Sequence, residues 1–107
     1  MSLDFYLRAT RKVTVFDANI THNVGSMAKE AGIYKHLWRH EELGLKYGGE
    51  LIQPLRAALI LLESEPERFK PLEPENGWGS YAGLVKWLKT VLAACEENPD
   101  AEIEVSR

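Results

Sequence analysis

Strand-like alternation marks both ends of this chain, and it constrains the fold more than any other feature. In residues 3 to 8, Leu3, Phe5 and Leu7 fall on one side and Asp4, Tyr6 and Arg8 on the other, the period-two pattern of a half-buried strand. After the polar Thr10-Arg11-Lys12, the β-rich run Val13-Thr14-Val15-Phe16 reads as a second strand, and so short a connection favours an antiparallel hairpin. Ala101 to Val105 alternates again with Glu102 and Glu104 outward. It is expected to join the hairpin as a third strand.

The segments between are helical by spacing. Thr21 or Asn19 caps a first short helix carrying Val24, Met27, Ala28 and Ala31, with Gly32 where a left-handed C-terminal residue is wanted. Residues 33 to 42 fit a helical turn or two before Gly44. A middle helix is predicted from about Glu50 to Glu63, with Leu51, Leu55, Ala58, Leu59 and Leu62 on one stripe and Pro54 tolerated near the first turn. Ser64 to Glu67 reads as a capping box in which Glu67 reaches back, leading a short helix to about Lys70. The longest helix, about Ser80 to Glu97, places Leu84, Val85, Leu88, Val91, Leu92 and Cys95 on one face, and Asn98-Pro99 stops it. The predicted fold class is α+β: a small antiparallel sheet, made of the N-terminal hairpin and the C-terminal strand, with helices packed on one face.

At 107 residues, 45% hydrophobic and 27% charged, the chain is expected to form a single domain spanning residues 1–107 with one core. The longest aliphatic run, Ala57 to Leu62, is far short of the ~20 residues that cross a bilayer. Met1-Ser2-Leu3-Asp4 lacks the basic-then-apolar pattern of a secretory signal. With one cysteine, Cys95, there is no internal disulfide and no multi-cysteine zinc site. A cytoplasmic location, no membrane contact and no cofactor are expected. Residues 1 to 47 hold seven Lys and Arg against five Asp and Glu, and residues 48 to 107 hold six against eleven. No basic stripe exists to neutralise many phosphates, so duplex nucleic acid is not an expected partner. The acidic second half could face a basic surface on a host protein or keep the chain soluble.

Three stretches carry the candidate chemistry. In the first, Asn76-Gly77-Trp78-Gly79-Ser80-Tyr81 stands before the longest helix, whose start offers unpaired N–H groups and the positive end of a dipole. Glycines let a ligand approach closely, Trp78 could stack on a ring, and Asn76, Ser80 and Tyr81 could supply polar contacts. The same residues serve equally as a tight turn, a Ser80 cap and a core-filling Trp78. The second stretch, Asn19 to Asn23, offers Thr21 as a cap, with His22 and Asn23 in the first turn and free to point outward. His22 is the best lone candidate for an acid or base, or else a structural histidine. In the third, Tyr34 to Glu42, Arg39 suits a phosphate or carboxylate by its forked geometry. Trp38 is a second ring for stacking, or packs inward with Leu37. His36 and His40, four apart, would share a helix face, but without an H-E-x-x-H context a metal is not expected. Cys95 lies on an apolar face and reads as a buried thiol.

Taken together, Asn19 to Tyr34, Leu37-Trp38, the segment from Pro74 through Leu88, Ala94-Cys95 and the segment from Pro99 to Arg107 resemble a widespread small family of phage- and prophage-encoded proteins without an assigned activity. The resemblance covers most of the chain, Arg39 to Glu50 least, and supplies no catalytic residues. It implies a phage product in the cytoplasm of a bacterial host, acting against host defence or on host metabolism. Small phage proteins that sequester nucleotide immune signals offer an analogy.

The expected function is therefore binding of a small anionic ligand, a nucleotide-derived signal, without catalysis, through Thr21, His22, Asn23, Trp38, Arg39 and the Asn76–Tyr81 stretch. The alternatives are an inhibitor of a host defence complex acting through the acidic half, a small hydrolase using His22, and a structural role that includes a homo-oligomer joined at sheet edges.

Overall fold

The computed structural model describes residues 1–9 and 13–107; the predicted connection Thr10-Arg11-Lys12 lies outside them. Three strands, β1 (Ser2–Arg8), β2 (Thr14–Thr21) and β3 (Glu102–Ser106), form an antiparallel sheet in the order β2-β1-β3. β1 is central. Its Leu3, Phe5 and Leu7 are fully buried, and they sit opposite Ile20, Ala18 and Phe16 of β2 while Phe5 and Leu7 also face Val105 and Ile103 of β3. Cross-strand apolar pairs of this kind are the unit of sheet stability. On the other face, Arg8 reaches the Glu104 carboxylate across the β1–β3 pair.

Among the described residues five α-helices complete the α+β fold: α1 (Gly25–Glu30), α2 (Tyr34–Trp38), α3 (Ile52–Ser64), α4 (Pro66–Phe69) and α5 (Tyr81–Glu97). The predicted stripe of Leu51, Leu55, Ala58, Leu59 and Leu62 is buried, as are Leu84, Leu88, Val91 and Cys95 of α5. Pro54 is the third residue of α3, where a missing N–H costs little. α5 lies over the sheet, with the Trp87 ring edge-on to Phe5 at 6.3 Å. Among the described residues no helix is long and apolar enough to cross a membrane.

Three local expectations are corrected. β2 runs on to Thr21, so Asn19 is a strand residue whose amide donates to Ser2 Oγ at 2.8 Å and Asp4 Oδ1 at 2.6 Å rather than a helix cap. The Ser64 capping box does not form, because Ser64 ends α3 and its hydroxyl donates to the Leu61 carbonyl at 3.2 Å. α2 stops at Trp38, where Arg39 leaves helical backbone at φ −135° and ψ 40°. His36 and His40 therefore do not share one continuous helix.

The edge of β3 is covered by the segment leading into α3. Ile103 N donates to Lys46 O at 2.8 Å, Gly48 N donates to Ala101 O at 2.8 Å, and Tyr47 bridges Glu102. Glu50 holds that segment, its carboxylate accepting from Lys46 N at 2.8 Å and Tyr47 N at 2.9 Å. The backbone N–H of Tyr47, and then that of Lys46, hold the Glu50 carboxyl below its ordinary pKa. A depressed carboxylate contributes stability above its unfolded pKa that disappears as pH falls through the folded value. Glu50→Gln should therefore flatten the acid limb of the stability–pH curve below the ordinary carboxylate pKa, as read by urea midpoints at a series of pH values.

Candidate functional site

The loop before α5 is built by its own polar groups. Asn76 Oδ1 accepts from Trp78 N at 2.9 Å, an Asx turn. Ser80 Oγ caps α5 by accepting from Gly83 N at 2.9 Å, and Glu73 Oε2 accepts from Tyr81 N at 3.0 Å. Gly77 and Gly79 take left-handed φ values of 76° and 113°. Trp78 is left 71% exposed at the tip. The core-filling role for this indole is thereby overturned.

The core indole is Trp38, at 1% exposure. It stacks on Tyr34 with centroids 4.9 Å apart and planes 14° from parallel, and its Nε1–H donates to His22 Nδ1 at 3.0 Å. An indole nitrogen is a donor only, so the neutral His22 ring carries its proton on Nε2. Two expectations fail here. Trp38 is not a platform for a ligand, because the interior and Tyr34 occupy its surface, and His22 does not point outward, because it supplies the acceptor that a buried indole N–H requires. His22 Nε2 is itself buried without a protein partner.

The two distant stretches do meet. A Cβ built on Gly79 would lie 2.9 Å from Val24 Cγ1 and 3.0 Å from Thr21 Cγ2, so the loop seats directly on the end of β2 and the turn that follows. Beside this contact is a hollow of about 280 Å³. Ile20, Thr21 and Val24 wall one side, and Gly79, Ser80, Gly83 and Trp87 the other. Thr21 Oγ1 accepts from Asn23 N at 3.2 Å, just as Ser80 Oγ accepts from Gly83 N. Each hydroxyl therefore keeps a hydrogen to donate.

Of the residues expected to bind, Thr21, Gly79 and Ser80 line the hollow, while His22, Asn23, Trp38, Arg39, Asn76, Gly77, Trp78 and Tyr81 do not. Asn76, Gly77 and Trp78 belong to the adjoining loop, and Asn23 is exposed on the turn after β2. The Tyr81 hydroxyl donates to the Leu62 carbonyl at 2.6 Å, fastening α5 to α3. Arg39 lies 4.0 Å from the Glu42 carboxylate. Ile20, Val24, Gly83, Leu84 and Trp87 also line the hollow without having been expected to; Trp87 is the polar one among them, its Nε1–H buried without a partner. Its position four residues after Gly83 was the available signal, since i and i+4 share a helix face.

Other candidates are absorbed by structure. Lys89 binds Glu63 at 3.2 Å, Arg68 lies 3.5 Å from Glu65, and Glu73 accepts from Tyr81 N, so part of the acidic half is engaged locally. Burial lowers the His40 pKa, with Arg107 acting in the same direction and Glu41 against it. Among the described residues no three His, Cys, Asp or Glu side chains gather as metal ligands would. Burial pushes the Cys95 thiol up to about 12, with Glu96 adding to the shift, so it is protonated and unreactive at neutral pH.

Compared with models of protein families, with curated proteins and with solved structures, the chain matches none.

Gly79→Ala should cost at least about 1 kcal/mol, since it combines left-handed strain with the Thr21 and Val24 clash; chemical denaturation reads the loss. His22→Ala leaves the Trp38 N–H buried and unpaired, an expected loss of about 1–3 kcal/mol by the same measurement.

Proposed function

We propose that the protein is a non-catalytic binding protein that sequesters a small anionic, nucleotide-derived molecule at the Trp78 loop and the hollow beside it. The observation that carries this reading is Trp78, a large ring 71% exposed on backbone held by the Asn76 amide. A ring presented in this way loses little freedom when covered, and stacking of a base on it is worth about 1–3 kcal/mol. The neighbouring hollow adds two hydroxyl donors, Thr21 and Ser80, at the start of the 17-residue helix α5, whose first N–H groups are held by Glu73 and Ser80. Among the described residues that line it there is no carboxylate. The Thr21 and Ser80 hydroxyls, with no carboxylate beside them in the lining, favour an acceptor-rich group.

The likeness of the Asn19–Tyr34 and Pro74–Leu88 stretches to phage and prophage proteins supports a setting in a bacterial host, where such a ligand would be a defence signal. Catalysis has little to draw on, because the His22 Nδ1 lone pair is spent on Trp38. Inhibition of a host complex through an acidic face is weakened by the local engagement of Glu63, Glu65 and Glu73.

A panel of cyclic dinucleotides and ADP-ribose derivatives tests the reading by thermal shift. A ligand at a hundred times its Kd stabilises by ~2.7 kcal/mol, which raises the Tm of a domain this size by about 10 °C. Trp78→Ala should abolish the shift and leave the unliganded Tm nearly unchanged, as for an exposed side chain. No shift with any member, or a shift that survives Trp78→Ala, rejects the proposal.

A further inference from the structure

The two edges of the sheet differ. That of β3 is covered by residues 46–48, whereas among the described residues no backbone hydrogen bond leaves the outer side of β2. Edge strands are usually guarded by lysine, proline, a bulge or short length. β2 is eight residues long, TVFDANIT, with no lysine and no proline, and its bulge lies opposite Leu7 and Arg8, leaving Phe16–Thr21 in regular register. Asp17 is the one charge in that run.

From these features we infer that two copies of this chain pair through β2, antiparallel about a two-fold axis at Ala18, to make one six-stranded sheet. The register follows from hydrogen-bond parity and charge. His22 N donates to Met1 O at 3.2 Å, so Met1 and His22 are a hydrogen-bonded pair. Alternation along the antiparallel ladder then turns the backbone groups of Ile20, Ala18 and Phe16 toward β1 and those of Thr21, Asn19 and Asp17 toward the open edge. In a self-paired strand the outward groups must meet each other, which leaves registers centred on Asp17, Ala18 or Asn19.

Centring on Asp17 sets two carboxylates directly opposite, a destabilising arrangement. A centre at Asn19 leaves Phe16 without a partner inside the regular run. Centring on Ala18 places Asp17 against Asn19 and Phe16 against Ile20, so that a charge meets an amide and an apolar side chain meets an apolar one. Asp17 and Asn19 of each copy then exchange backbone hydrogen bonds with Asn19 and Asp17 of the other. The occupant of the edge is a second copy because the run is complementary to itself on both faces.

Four experiments test this. Analytical ultracentrifugation should show a dimer that dissociates on dilution. Amide exchange at Asp17 and Asn19 should be at least tenfold slower in the concentrated sample than in the dilute one, while Ala18 and Ile20, bonded to β1, stay protected in both. Ala18→Cys, at the non-hydrogen-bonded pair on the axis where Cα atoms lie about 4.5 Å apart, should give a disulfide-linked dimer with oxidised glutathione; native Cys95 is fully buried. Asp17→Pro removes an outward N–H and should yield a folded monomer. Should that variant fail to fold, the exchange pattern and the Ala18→Cys cross-link decide alone. A protein monomeric up to about 1 mM, or a dimer in which Asp17 and Asn19 exchange freely or Ala18→Cys does not cross-link, overturns the inference.

Discussion

Everything in this molecule hangs on β1 being paired on both sides while its inward face is sealed. Leu3, Phe5 and Leu7 are fully buried, and at roughly 1.5–3 kcal/mol for each large apolar side chain taken from water they are a substantial fraction of a small domain's net stability. Their burial needs α5 above them and β3 beside them. β3 arrives from the far end of the chain, so the complete sheet requires the intervening residues to loop back to β1. Arg107 then extends that closure, donating to the Trp38 carbonyl at 3.0 Å and lying 2.8 Å from the Glu41 carboxylate. The last residue is tied to the end of α2.

A second constraint is the handling of polar groups beside the core. The Trp38 indole is large enough to fill the space between α2 and the end of β2, and its N–H cannot go unpaired there without cost. His22 answers it with Nδ1. A residue with the chemistry of an acid or base is thus drawn into structure. Gly79 is committed in the same sense, since the absence of a Cβ lets the loop touch Thr21 and Val24. That contact sets Ser80 and Thr21 at one hollow and leaves Trp78 outside, in water, on a fixed turn. The proposed ligand site is a consequence of close packing at its base.

The strands and the long helices were legible because their apolar spacing is unambiguous: Leu3, Phe5 and Leu7 in twos, and Leu84, Leu88, Val91 and Cys95 in turns of a helix. The alternation of β2 fades in the sequence because it ends in Asp17, Ala18, Asn19, Ile20 and Thr21, where the polar residues that face water in an edge strand are the same types that cap helices. Ser64 misled for a related reason. Its hydroxyl can accept at a helix start or donate to the preceding turn, and local sequence does not choose between them.

Periodicity and charge sufficed to establish an α+β chain with a three-stranded antiparallel sheet, because those patterns report which side of each element avoids water. They did not rank the indoles. Trp38, Trp78 and Trp87 are chemically identical, yet one is interior, one stands in solvent and one walls a hollow. That division, and with it the turning of His22 inward, arises from contacts between residues far apart in the chain. Burial is a property of the assembled neighbours, and no single segment carries it.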